Sequence, residues 1–203
     1  MDAFSVTVCA SGDGGNFQSL IDARNEIKFD INCLIVDREC GAIKRAESAG
    51  ISVRRIRSSN QLLSNDLSTV LPKSSNLIIL AGFMPIIPKD ICEKWSRKII
   101  NTHPSLLPKF GGKGMYGVRV QEAVMKAGER LAGCTIHYVN AEIDNGEIIL
   151  QKSIEVNYDE TPWQLGGRVF AEETLLLLEA VKLLRRQQTS EYFDEMEKSG
   201  SNF

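Results

Sequence analysis

Short apolar runs alternate with longer stretches in which apolar positions recur every three or four residues. The first run, residues 5–10 (S-V-T-V-C-A), predicts a strand that enters a glycine loop, S-G-D-G-G. Residues 16–25 have helical spacing. Residues 31–37 (I-N-C-L-I-V-D) predict a second strand, residues 42–49 a short helix closed by Gly50, and residues 51–56 a third strand. Residues 60–71 carry Leu62, Leu63, Leu67, Val70 and Leu71 at helical spacing. Residues 76–83 (N-L-I-I-L-A-G-F) are almost continuously apolar, as in a parallel strand buried on both faces. A short helix over 89–95 leads to a fifth strand at 98–102.

This β-α repetition predicts an α/β fold with a doubly wound, mainly parallel sheet. The pattern changes after His103. Gly111, Gly112, Gly114 and Gly117 mark a flexible stretch, a candidate lid, and a helix is expected over 118–127. Residues 134–140 and 147–156 are strand-like and joined by A-E-I-D-N-G. Asn145-Gly146 is a hairpin signal, so antiparallel strands should close the C-terminal part of the sheet. Thr161 as N-cap and Pro162 in the first turn open a long helix running to about residue 186. The polar tail from about 188 to 203 is expected to fray.

The chain has 203 residues, which suits a single domain over 1–203. With 43% hydrophobic and 25% charged residues and a net charge of −2, it carries no electrostatic footprint for nucleic acid or anionic membrane. The start lacks a basic, apolar leader and no apolar run approaches a bilayer span. The five cysteines are odd in number and include no C-x-x-C, so they read as reduced thiols of a cytoplasmic protein. There is no metal-ligand spacing such as H-x-x-x-H.

Three stretches carry candidate chemistry. The loop S-G-D-G-G-N (11–16) opens a helix and offers backbone N–H groups to an anion. Gly12 and Gly14 fit a dinucleotide fingerprint, but Phe17 takes the third glycine position. Asp37, ending the second strand, stands where a ribose-binding acid would stand. A tight turn without ligand is the bland alternative, and Asp13 would repel a phosphate. His103 follows the fifth strand at the sheet's carboxyl edge, where open α/β sheets place their sites. Pro104 restricts its backbone to extended geometry, and Asn101 shares its face. An amide and an imidazole side by side suit an oxyanion. Asp144, in an Asp-Asn-Gly turn, needs no function on local grounds, and His137 reads locally as a structural histidine.

S-G-D-G-G-N, A-G-F-M-P-I-I-P (81–88), I-N-T-H-P-S-L-L-P (100–108), G-C-T-I-H-Y-V (133–139) and D-N-G-E-I-I-L-Q (144–151) occur in that order. Together they resemble the formyl-folate transferase superfamily, and within it the phosphoribosylglycinamide formyltransferases, over about residues 4–180. The length leaves no room for the added domains of methionyl-tRNA formyltransferases or formyltetrahydrofolate hydrolases. The resemblance implies a Rossmann-like formyltransferase fold. It implies formyl transfer from 10-formyltetrahydrofolate, a co-substrate, to the amine of 5-phosphoribosylglycinamide in purine biosynthesis. It implies no metal, small-molecule partners and a monomer or homodimer. The implied catalytic trio is Asn101, His103 and Asp144. Gly14, Gly15, Asn16 and Glu173 would hold the ribonucleotide. Met84, Pro85, Ile86, Ile87, Asn101, Asn140, Ala141, Glu142 and Ile143 would hold the folate, with Thr135 and His137 as polar linings. Asp13 and Gly15 depart from the family loop, where uncharged and hydroxyl residues are usual. The alternatives are a sugar-amine N-formyltransferase, a nicotinamide-dependent oxidoreductase, and a formyl-folate binder without turnover.

Overall fold

A computed structural model describes residues 4–57 and 62–198. Its elements in chain order are β1 (Ser5–Ala10), α1 (Gly15–Ile27), β2 (Asp30–Val36), α2 (Gly41–Ser48), β3 (Val53–Arg55), α3 (Leu63–Val70), β4 (Leu77–Leu80), α4 (Lys89–Lys94), β5 (Ile99–His103), α5 (Val118–Lys126), β6 (Leu131–Tyr138), β7 (Ile148–Glu155) and α6 (Pro162–Lys198). One seven-stranded sheet runs in the order β3-β2-β1-β4-β5-β6-β7. The first five strands are parallel and β6 and β7 are antiparallel, as the sequence pattern predicts.

The apolar runs explain the layering. In β4, Leu77 and Ile79 face a core formed with α1, α2, α5 and α6, while Ile78 and Leu80 face a second core with α3 and α4. A strand buried on both faces needs no polar alternation, hence the unbroken L-I-I-L. Connections from β1 and β4 leave toward opposite faces, so a crevice opens where these neighbours end. Ser11 bridges it: its N–H donates to the Gly82 carbonyl (3.1 Å) and its Oγ accepts from Met84 N–H (2.9 Å).

Several predicted boundaries shift. The third strand shortens to Val53–Arg55, at the sheet edge. The helix predicted from residue 60 is seen from Leu63; Asn60 and Gln61 lie outside the described residues. The helix predicted to end near residue 186 continues to Lys198. Residues 187–198 contain no glycine or proline and are rich in Gln, Glu, Met and Lys, which favour helix. Its start is as expected: Gln164 N–H donates to Thr161 Oγ1, and Thr161 N–H donates to Gln164 Oε1, a reciprocal capping box. All five cysteines are free thiols. No helix among the described residues is long and apolar enough to cross a membrane.

Asn145-Gly146 does not make a two-residue hairpin. Residues 139–147 form a longer loop between β6 and β7, and the left-handed residue is Asp144 (φ 53°) rather than Asn145 or Gly146. A register shift pairs Ile136 with Leu150 but His137 with Ile148, which bulges β7 at Ile149. Gly146 is needed for a different reason: a Cβ there would lie 1.7 Å from the Tyr138 carbonyl oxygen. Gly146→Ala should therefore lower unfolding free energy by about 2 kcal/mol or more. Urea denaturation of the variant checks this; a loss below about 0.5 kcal/mol would mean that the loop accommodates a methyl group there.

Candidate active site

A cleft of about 920 Å³ lies across the carboxyl ends of β1, β4 and β5. Three segments from the parallel half reach it: the loop 12–16 after β1, residues 80–87 at and after β4, and residues 101–104 at the end of β5. The antiparallel half contributes His137, Val139, Asn140 and residues 142–144, and α6 contributes one face. The crevice rule for open α/β sheets thus places the cleft where the sequence reading expected it.

Asn101 and His103 alternate on β5 with Thr102 between them, so both face the same side. Their cross-strand partners on β6 are His137 and Thr135. His103 is buried (4% exposed). Its Nε2 lies 2.8 Å from the Phe110 carbonyl oxygen and its Nδ1 lies 3.5 Å from Asp144 Oδ2, so each ring nitrogen faces an acceptor. Asp144 Oδ2 also accepts the Gly112 N–H at 2.9 Å, and Oδ1 accepts from Asn101 Nδ2 at 3.5 Å. The contact between His103 and Asp144, two residues that no local pattern joins, is present.

His137 plays a different part. Its Nδ1 faces the Tyr138 carbonyl at 2.9 Å, which assigns the hydrogen to Nδ1 and leaves Nε2 as an acceptor. Asn101 Nδ2 donates to that Nε2 at 3.1 Å. Burial lowers the His137 pKa below its ordinary 6.5, opposed by the Tyr138 carbonyl and by Asp144 and reinforced by the charge of His103. His137 therefore orients the Asn101 amide as a neutral ring.

At the other end of the cleft, Gly14 takes a left-handed conformation (φ 74°) just before α1. A Cβ there would meet Ala42 Cβ at 2.8 Å, so only glycine lets the loop sit against α2. Asn16 in the first turn of α1 donates from Nδ2 to Glu173 Oε1 at 2.6 Å and accepts from Thr174 Oγ1 at 2.9 Å. Glu173 is buried, which raises its pKa above the ordinary 4.5; hydrogen bonds from Asn16 and Thr102 and the charge of His103 oppose the rise.

Of the predicted site residues, Asn101, His103, Asp144, Gly14, Gly15, Asn16, Glu173, Met84, Pro85, Ile86, Ile87, Asn140, Glu142, Ile143 and His137 line the cleft. Ala141, predicted with the folate group, does not. Thr135 does not either: it is fully buried, accepts the Leu107 N–H and donates to the Ser105 carbonyl, so it ties down the segment after His103. Asp37 is also absent from the cleft, with its carboxylate turned to Arg38 at 2.7 Å. Phe17 is fully buried in the core. The dinucleotide reading fails on both, because the acid lies outside the cleft and the third glycine position is a packing residue.

Other lining residues escape the motifs: Arg45, Lys113, Gln121, Trp163 and Phe170. Trp163, Gly166, Phe170 and Glu173 recur at three- to four-residue spacing on α6, a signal that could have gathered them around Glu173. Among the described residues, no group of three or more His, Cys, Asp and Glu side chains is placed to hold a metal ion.

The profile of the family described as "Formyl transferase" matches residues 4–181. A curated relative, the chloroplastic phosphoribosylglycinamide formyltransferase of Arabidopsis thaliana, is 36% identical over 87% of this chain and 63% of its own length. The trifunctional purine biosynthetic protein adenosine-3 of Bos taurus is 34% identical over 88% of this chain but 18% of its own. The chain thus spans less than two thirds of these curated relatives. Among solved structures, the phosphoribosylglycinamide formyltransferase of Anaplasma phagocytophilum superposes with a TM-score of 0.83 at 37% identity, covering 92% of this chain and 89% of that one.

The depressed pKa of His137 has a measurable consequence. Its folded value lies below the unfolded one, so the unfolded chain binds more protons once pH falls below about 6.5. This residue's contribution to stability is therefore present at neutral pH and lost as the solution is acidified through that region. NMR of the imidazole should show a neutral ring with hydrogen on Nδ1 at pH 7. Titration at or above 6.5 would contradict the assignment.

Proposed function

The chain belongs to the formyl transferase family, and from that membership we propose that it moves a formyl group from 10-formyltetrahydrofolate to the primary amine of 5-phosphoribosylglycinamide. The observation that carries this reading is the cluster at the cleft floor, with the Asp144 carboxylate between His103 and Asn101. Relatives named for this reaction agree with it over most of this chain.

The neutral amine attacks the formyl carbon, and the carbonyl electrons move onto oxygen. His103, through the Nδ1 that faces Asp144 at 3.5 Å, and the Asn101 amide donate hydrogen bonds to that oxyanion, which typically lowers the barrier by roughly 3–4 kcal/mol for a well-placed donor. Asn101 now donates to Asp144 at a long 3.5 Å, and this is the bond an oxyanion would replace, while the shorter one to His137 keeps the amide aimed. The attacking nitrogen must lose a proton and the folate N10 must gain one before the C–N10 bond breaks. Asp144, held by the Gly112 N–H, takes the first and supplies the second, directly or through water. No covalent enzyme intermediate arises in this sequence.

The exposed apolar side chains Met84, Ile86 and Ile143 suit the flat pteridine and benzoyl surfaces of a folate. Asn16 and Glu173, with the N–H groups of Gly14 and Gly15, form the side for the phosphorylated acceptor. Localisation to the cytoplasm belongs to the same proposal.

The test is a formyl-transfer assay with phosphoribosylglycinamide as acceptor. His103→Ala and Asp144→Asn should each lower kcat by about 100-fold or more while far-UV circular dichroism stays unchanged. Near-wild-type turnover in folded His103→Ala would refute the assignment of roles.

A further inference from the structure

Four carboxylates line the cleft, Asp13, Glu142, Asp144 and Glu173, against two side chains that are cationic at any physiological pH, Arg45 and Lys113. Such a surface is a poor host for a phosphate dianion unless a cation is placed where the phosphate lands. Lys113 is exposed on the glycine-rich segment beyond His103. Arg45 is half-buried on α2 and lies against the loop after β1.

The guanidinium of Arg45 is held from one side. Its Nε donates to the Asp13 carbonyl at 2.6 Å and its Nη1 to Gln18 Oε1 at 3.1 Å, which spans the loop and the first turns of α1. Its stem packs where Gly14 lacks a side chain, since a Cβ there would lie 3.4 Å from Arg45 Cδ. Nη2 has no partner among the described residues. The Asp13 carboxylate lies against Gly41 at the start of α2: a Cβ on Gly41 would come within 2.9 Å of Asp13 Oδ1. The negative end of Asp13 is thus set beside a helix N-terminus, while its carbonyl is taken by Arg45.

We propose that Arg45 is a phosphate-binding residue of the acceptor site, with two of its nitrogens fixing the loop and Nη2 donating to the anion beside the N–H groups of Gly14 and Gly15. This rests on the reading that the loop takes the phosphate end of the acceptor. A planar fork suits the dual task, because one edge can grip a carbonyl while the other meets an oxyanion. The arrangement also offsets Asp13, the feature of the loop that argues against an anion.

Arg45→Met keeps much of the stem and removes the charge; Arg45→Lys keeps the charge and removes the fork. With phosphoribosylglycinamide, Arg45→Met should raise KM roughly 10- to 100-fold at nearly unchanged kcat, the range of a lost charge-assisted hydrogen bond. Arg45→Lys, which keeps the charge without the fork, should fall between wild type and Arg45→Met, and the dephosphorylated acceptor should show a much smaller Arg45→Met penalty. An equal penalty with both acceptors, Arg45→Lys as impaired as Arg45→Met, or no effect of Arg45→Met would overturn the proposal. Calorimetric binding of ribose 5-phosphate, with thermal melts to confirm folding, separates it from the activity. Arg45-dependent binding in a protein without formyl transfer would sink only the proposed reaction; binding indifferent to Arg45 would sink this inference.

Discussion

The Asp144 carboxylate is 11% exposed, lies between two imidazoles, and takes hydrogen bonds from a backbone N–H and a side-chain amide. A carboxylate with so little water must be met by hydrogen-bond donors. Satisfying it dictates much of the cleft. Asn101 and His103 must share a face of β5, the segment at Gly112 must fold over them, and the chain must turn left-handed at Asp144 itself (φ 53°). A non-glycine residue in that conformation costs about 1 kcal/mol or more, offset by the contacts it makes possible. The bulge at Ile149 and the bare Cα of Gly146 against the Tyr138 carbonyl belong to the same constraint, since both shape the loop that delivers the carboxylate.

Two histidines meet one carboxylate, and their second contacts divide the labour. Each ring donates to a backbone carbonyl, His103 from Nε2 and His137 from Nδ1. What remains on His103 is a nitrogen 3.5 Å from the carboxylate, and what remains on His137 is a lone pair taken by Asn101. One imidazole is thus set to share a proton with Asp144 and the other to stay neutral and aim an amide. The two peptide oxygens separate identical side chains into different jobs.

The sheet was legible in the sequence because its signals are local. L-I-I-L, in a β-α repeat, reads as a strand buried on both faces, and period-two alternation alone aligns Asn101 with His103. The long helix was legible at its start, where Thr161 and Gln164 cap each other, but not at its end, where polar residues carry no boundary signal. The site was legible where a motif spans it. It was not where contacts join distant backbone: Arg45 reaches a carbonyl 32 residues earlier, which no side-chain pattern encodes. Thr135 illustrates the converse error. The resemblance implied a lining group there, yet its hydroxyl is spent on Leu107 and Ser105 beneath the surface. Asp37 stood at the right strand end and failed because its side chain is buried beside Arg38, outside the cleft.

The 2.6 Å bond between Asn16 and Glu173 joins residues 157 positions apart, on the first helix and the last. One end of the cleft is therefore built from two segments that lie far apart in the sequence. The five parallel strands can pair without α6, but this end of the cleft has no existence until α6 docks on α1. The cleft thus depends on a late, long-range closure: a chain with its sheet paired and the His103 segment in place still lacks one wall until α6 docks.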